Sequence, residues 1–420
     1  MSTYNSRLKQ AIIEALRGSP CTFEELVRKC HGAYPTVVKQ AMKEMKVASV
    51  DTTLYTTQLD FLTEEINPLV DRDTLDFVTY SVENNPILSS WYISWKSCQK
   101  VKLLDLWYRK KILFLGTPRI FEYFILNCNF EEARLIDLDV EVTKKFKKTY
   151  SLQNIVIDNM DINAIDIFDQ QYDAVFLDPP WYLESYKSWL SKAFQFVKRD
   201  GAIYFSIFPF LTRPTASVER KDIFTFCRQF ASTVLSVADY FEYDIPSFES
   251  MQLKAENLFM HANWRVSDLI ILKGFCENNL KHFETRPDMS YTEWQEFSLF
   301  DTRWFLRRTV SSNLVDSYAD NIVHCPLLEP IGHSRFLDSP SRRNPKLKKA
   351  NLLSSKGHAF FVPDTDLFMY IIRIIQDRLY TSSNHKIPSY KVSYDDLMEN
   401  FGPDTTDQII QIYEMMGANK

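Results

Sequence analysis

The chain has 420 residues, 45% of them hydrophobic and 25% charged, a globular composition with room for more than one core. Its net charge of -5 excludes global attraction to a polyanion, so any nucleic-acid contact rests on a local basic surface. Only 9 glycines are present, which disfavours a glycine-rich phosphate cradle and favours a cofactor without phosphates.

The 7 cysteines form no Cys-x-x-Cys pair, which predicts reduced thiols in a cytoplasmic setting. Cys21, Cys30 and His31 fit no common zinc spacing, so no metal is expected. No apolar run approaches the roughly 18 residues that span a bilayer, and Met1 to Gln10 lacks the apolar stretch of a signal peptide.

Taken in order, Leu8, Ile12, Ala15 and Leu16 recur at helical spacing. Thr22 and Glu25 form a capping box for a second helix, with Phe23, Leu26 and Val27 as its apolar face. A third helix, Tyr34 to Lys46, turns Val38, Ala41, Met42 and Met45 inward. Val47 to Thr57 alternates as a small hairpin would. Three helices and a hairpin resemble a winged-helix domain over residues 1–59. In that family the third helix enters the major groove, which would present Tyr34, Thr36, Lys39, Gln40 and Lys43 to nucleic acid. Protein contact is the alternative use of the same domain. Residues 60–110 form a connector whose Trp91, Tyr92, Trp95, Trp107 and Tyr108 read as core packing.

A strand–helix alternation begins at Lys110. Strands are expected at Ile112 to Leu115, Ala133 to Ile136, Ile155 to Ile157, Ala174 to Leu177 and Ala202 to Phe208, with further ones near Thr233 to Tyr240 and Arg265 to Leu272. A turn is expected at Arg199-Asp200-Gly201. The pattern predicts an α/β fold over 111–275, a Rossmann-like, mostly parallel sheet covered on both faces. The remainder, 276–420, reads as a mostly helical extension, with an amphipathic helix from Asp366 to Leu379 and a basic loop over 335–356 carrying Arg342, Arg343, Lys346, Lys348, Lys349 and Lys356.

The chemistry concentrates at Asp178-Pro179-Pro180-Trp181-Tyr182, directly after the fourth strand. Two prolines end a sheet ladder and stiffen the segment after it. A carboxylate, two rigid carbonyls and an indole are therefore held at a strand end, where open α/β sheets place their chemistry.

Lys111 to Lys273 resembles the class I S-adenosylmethionine-dependent methyltransferases, and Asp178-Pro179-Pro180-Trp181 resembles the signature of those that methylate an exocyclic base amine. The resemblance implies S-adenosylmethionine as cofactor, with Gly116 and Thr117 under its methionine part. It implies Asp137 on the ribose, and Asp161, or its rival Asp158, on the adenine amine. Asp178 and the Pro179 carbonyl would orient the target amine, and Trp181 or Tyr182 would stack on a base flipped out of its duplex. DNA or RNA, with adenine as target base, is then the implied partner, held in part by Lys39, Lys43 and the basic loop. The usual glycine-rich first motif is reduced here to Gly116.

A winged helix before such a sheet also resembles the branched-chain polyamine synthases, which transfer an aminopropyl group from decarboxylated S-adenosylmethionine. Arg119 would repel a polyamine, unless Glu122, Glu184 and Asp244 gather in the pocket. A third reading is a non-catalytic subunit that keeps the fold for binding. A homo- or hetero-oligomer is compatible with each reading, and a membrane partner with none.

Overall fold

The computed structural model describes residues 4–17, 21–45, 77–101, 110–165, 171–260, 263–275, 293–299, 302–308, 329–331, 349–363 and part of 365–376. The chain divides into two compact units: one of residues 1–82, 91–246 and 256–288, the other of 83–90, 247–255 and 289–420.

The first unit begins with helices α1 (Tyr4–Leu16), α2 (Phe23–Lys29) and α3 (Pro35–Glu44). The expected capping box opens α2: the Thr22 hydroxyl accepts from the Glu25 amide, and the Glu25 carboxylate accepts from the Thr22 amide. Leu8, Ile12, Leu26, Val27, Val38 and Ala41 are buried together with Leu211 and Trp264 from later in the unit. The predicted hairpin at 47–57 lies outside the described residues. The short helix α4 (Trp95–Lys100) begins at Ser94, whose hydroxyl accepts from the Ser97 amide.

A seven-stranded sheet comes next, in the order β3-β2-β1-β4-β5-β7-β6. Its strands are β1 (Lys111–Leu115), β2 (Glu132–Asp137), β3 (Ile155–Asn159), β4 (Tyr172–Leu177), β5 (Val197–Ile207), β6 (Ala231–Glu242) and β7 (Val266–Phe275). Strands β3, β2, β1, β4 and β5 pair in parallel, whereas β7 runs antiparallel between β5 and β6. Helices α5 (Pro118–Asn127), α6 (Val140–Thr149), α7 (Leu183–Phe196) and α8 (Ala216–Cys227) lie between the strands in sequence. Strand side chains alternate between two cores. Leu113, Leu115, Val175 and Leu177 enter one core, and Ile112, Phe114, Ala174 and Phe176 the other. Burial on both faces explains why these strands read as continuous apolar runs.

One predicted turn is strand. Arg199-Asp200-Gly201 lies within β5, where the pairing with β4 jumps from Tyr172↔Val197 to Ala174↔Ala202. The extra residues bulge rather than turn, and Asp173 holds the bulge through Lys198 at 2.6 Å.

The second unit departs from the helical expectation. Its described part contains helix α9 (Ser247–Ala255) and a five-stranded sheet, in the order β10-β12-β11-β9-β8. The strands are β8 (Trp294–Leu299), β9 (Thr302–Arg307), β10 (Glu329–Pro330), β11 (Leu352–Ser354) and β12 (Ala359–Phe361), paired antiparallel. Trp294 is half-buried and Phe297, Trp304 and Phe305 are buried, all of them from strands. The register joins Leu299 to Thr302, and the intervening Phe300-Asp301 has no glycine or asparagine to announce a hairpin. The described residues within 365–376 are helical, with Phe368, Met369 and Ile372 buried, in keeping with the predicted amphipathic helix.

Candidate active site

Strand β4 lies beside β1 and delivers Asp178 to the edge of the sheet where the parallel strands end. The Asp178 amide donates to the Leu115 carbonyl at 3.4 Å, which ties this corner to the end of β1. The Tyr182 amide closes back on the Pro180 carbonyl at 2.6 Å, while the Pro179 carbonyl accepts no hydrogen bond among the described residues.

Asp178 is half-buried, and its Oδ1 accepts from the hydroxyls of Ser206 and Tyr243, the latter at 2.9 Å. Its Oδ2 accepts no hydrogen bond among the described residues. Burial pushes the carboxyl up to about 6, against the pull of the two hydroxyl donors and of Arg265. The Arg265 guanidinium lies 3.8 Å from the ring centre of Trp181 and 4.3 Å from that of Trp91. Trp181 also meets Tyr243 edge to face at 5.8 Å. A face of the indole expected to stack on a base is thus covered by a guanidinium.

Asp178 shares a cavity with Trp91, Tyr92, Gly116, Thr117 and Arg119. Gly116 has φ +61, a conformation that other residues adopt with strain, and its amide donates to Ile136 at 2.9 Å. A Cβ at Gly116 would meet the Trp189 ring at 2.6 Å, so the glycine is required by that indole as well as by the turn. Thr117 precedes α5 without capping it, and its buried hydroxyl has no hydrogen-bond partner among the described residues. Pro118 occupies the first helical turn, where a missing amide hydrogen is tolerated.

Asp137 ends β2, and its Oδ1 accepts from the Asp139 amide at 2.8 Å. Burial, with Asp139 close by, pushes its carboxyl up to about 7. Asp161 stands just past β3 and caps a short 3-10 turn through the Asn163 amide at 2.9 Å. Its rival Asp158 is engaged elsewhere, in an ion pair with Arg134 at 2.7 Å. The sheet carries Asp137 and Asp161 to the strand-end edge that also holds Gly116 and Asp178.

Other predicted positions fall differently. Lys39 donates to the Glu256 carbonyl at 2.9 Å, and Tyr34 packs edge-on against Trp264 at 5.5 Å. That side of α3 therefore faces protein, while Lys43 is exposed. Arg342, Arg343, Lys346 and Lys348 lie outside the described residues, and Lys349 is exposed. Arg119 is buried and paired with Asp244, so it is no free positive charge against a cationic substrate. Glu122 is buried and accepts from the Val78 and Thr79 amides and the Tyr150 hydroxyl. Glu184 is exposed, so these acids do not gather in the cavity.

Ser206, Tyr243, Ser267, Arg265 and Trp91 carry no sequence motif. Only the strand order brings the end of β5, the residue after β6 and the start of β7 beside Asp178. Trp91, read from sequence as core, lines the cavity.

Residues 92–294, just under half of the chain, match the family model described as probable N6-adenine methyltransferase. The protein is a methyltransferase. Its cofactor is S-adenosylmethionine. The residues present fit that molecule: Asp137 could accept from ribose hydroxyls, Asp161 from an amine, and the unpartnered Thr117 hydroxyl could serve the polar methionine end. No curated protein matches the chain.

Among solved structures, the branched-chain polyamine synthase of Thermus thermophilus is similar with TM-score 0.50, at 11% identity over 67% of this chain and 91% of that one. Its C9 mutein gives TM-score 0.51 at 12% identity over the same shares. A putative RNA methyltransferase from Pyrococcus horikoshii gives TM-score 0.33 at 13% identity, over 46% of this chain and 92% of that one. At these identities the likeness to the synthase is one of fold. No helix among the described residues is long and apolar enough to cross a membrane.

Proposed function

We propose that the enzyme methylates the exocyclic amine of a nucleobase, adenine, in DNA or RNA. The observation that carries this reading is the acceptor pair after β4. Asp178 Oδ2 and the Pro179 carbonyl have no partner among the described residues, and Asp178 lines the cavity of Gly116 and Thr117. An aromatic amine is a weak nucleophile because its lone pair is delocalised into the ring. Two acceptors, one for each amine hydrogen, favour a tetrahedral nitrogen with its lone pair turned toward the methyl donor. Catalysis is then orientation and electrostatics rather than strong base chemistry. When bound, S-adenosylmethionine would supply an electrophilic methyl on its sulfonium; Asp178 would accept and hold the proton that the methylated amine gives up, while the Pro179 carbonyl keeps the amine oriented.

The adenine target is supported by the description of the matching family model. Nucleic acid as the partner is supported by exposed Lys43 and Lys349 and by Arg342, Arg343, Lys346 and Lys348 of the basic run. Aminopropyl transfer is the second reading, favoured by the likeness of fold to the polyamine synthase. Glu122 saturated in the core and Asp244 paired with Arg119 leave a polycation few carboxylates to replace its water. Incubation with labelled S-adenosylmethionine and an adenine-containing oligonucleotide tests the proposal: label on the adenine amine supports it, and an unlabelled oligonucleotide contradicts it.

A further inference from the structure

Two hydroxyls from different strands converge on one oxygen of Asp178. Ser206 comes from β5 and Tyr243 from beyond β6, and both donate to Oδ1. Behind them, Ser267 of β7 lies 3.2 Å from the Tyr243 hydroxyl. Ser206, Tyr243 and Ser267 are buried. The Tyr243 ring is held edge-on against Trp181, its amide donates to the Arg265 carbonyl at 3.0 Å, and it bridges to Ile93 across the chain. Its hydroxyl has little room to swing.

An ionised carboxylate can only accept, so the protons in this cluster have one consistent order. Ser206 and Tyr243 each spend their proton on Oδ1, and Tyr243 in turn accepts from Ser267. With Oδ1 doubly occupied, a proton taken up by Asp178 goes to Oδ2. That proton would make the amine's acceptor a donor, and it would face the amine's own hydrogens.

We propose that Tyr243 and Ser206 are positioning residues, which fix the rotation of the Asp178 carboxylate and keep Oδ2 an ionised acceptor for the amine. The proposal rests on the reading of Asp178 as that acceptor. Among the described residues, the ionisable groups acting on the carboxylate are Arg265, ahead of β7, Tyr243, after β6, and Tyr186 of α7, with Arg119 lining the same cavity. Burial drives the carboxylate toward its neutral form, and hydrogen bonds to the charged form oppose that drive.

Tyr243→Phe keeps the ring against Trp181 and removes only the donor, and Ser206→Ala does the same with a smaller change of packing. In full-length protein carrying 13C-labelled aspartate, with the Asp178 signal assigned through Asp178→Asn, each variant should raise the midpoint of the Asp178 titration by about one unit or more. The acid limb of the kcat profile should move up by the same amount, with KM nearly unchanged. If Tyr243→Phe fails to fold, Ser206→Ala carries the same expectation. Unmoved Asp178 titrations in the folded variants overturn the proposal and leave Tyr243 as packing alone. A shifted titration in a protein that methylates no oligonucleotide supports the hydrogen-bond lock and overturns the nucleobase reading instead.

Discussion

The hydroxyl of Tyr243 lies 2.9 Å from Oδ1 of Asp178, across 65 residues of chain. Antiparallel β7 pairs with both β5 and β6, so β6 runs parallel to β4 and β5 and its end falls at the same edge of the sheet as Asp178. The contact occupies one carboxylate oxygen, and the other accepts no hydrogen bond among the described residues.

Asp178→Asn should abolish transfer while cofactor affinity stays within about threefold, because the side chain serves the amine. The native rate should also depend on pH. With its carboxyl raised to about 6, Asp178 is ionised above that value and protonated below it. The rate should therefore fall about tenfold per unit below pH 6 and level off above it. A flat profile between pH 5 and pH 8 would remove Asp178 ionisation from the mechanism.

Asp137→Ala should weaken S-adenosylmethionine binding roughly ten- to hundredfold, the loss of a charge-assisted hydrogen-bond pair worth about 1.5–3 kcal/mol. Native Asp137 has its carboxyl raised to about 7, and ribose hydroxyls donate to its ionised form. Affinity should consequently fall as pH drops below 7, with protons released on binding. Calorimetry at pH 6 and pH 8, in buffers of different ionisation heat, reads both effects. Equal affinities in wild type and Asp137→Ala would displace the ribose from this position.

The seven-stranded sheet was legible because β1, β4 and β5 from Ala202 onward are apolar runs buried on both faces. The strand-end positions of Asp178 and Asp137 were legible because each closes an apolar stretch of its strand. The second unit was not, since no glycine or asparagine between Leu299 and Thr302 announces the pairing of β8 with β9. Arg119 was misjudged because its partner Asp244 lies 125 residues away. Trp91 and Arg265 were missed for the same reason: their stack is made by sheet order rather than by spacing.

Asp244→Ala should destabilise the fold by an amount near the low end of the roughly 3–5 kcal/mol seen when one partner of a buried ion pair is removed. It leaves the Arg119 guanidinium buried against Tyr80 and Tyr92 without its carboxylate. Part of the Asp244 side chain reaches solvent, which keeps the loss modest. Denaturant melting checks this, and an unchanged midpoint would mean that the pair contributes nothing.

Replacing Lys346, Lys348 and Lys349 with glutamate should weaken nucleic-acid binding and flatten its salt dependence, because each phosphate neutralised contributes to the slope. Filter binding from about 50 to 200 mM salt measures this. An unchanged slope would make the run a solvated loop.

The central claim is most directly tested by mass spectrometry of two parallel reactions of the full-length enzyme. One offers an adenine-containing oligonucleotide with methyl-deuterated S-adenosylmethionine, and the other offers spermidine with the decarboxylated cofactor. The account predicts a deuterated methyl on the adenine amine and unmodified spermidine. Aminopropylated polyamine with no methylated base would contradict it.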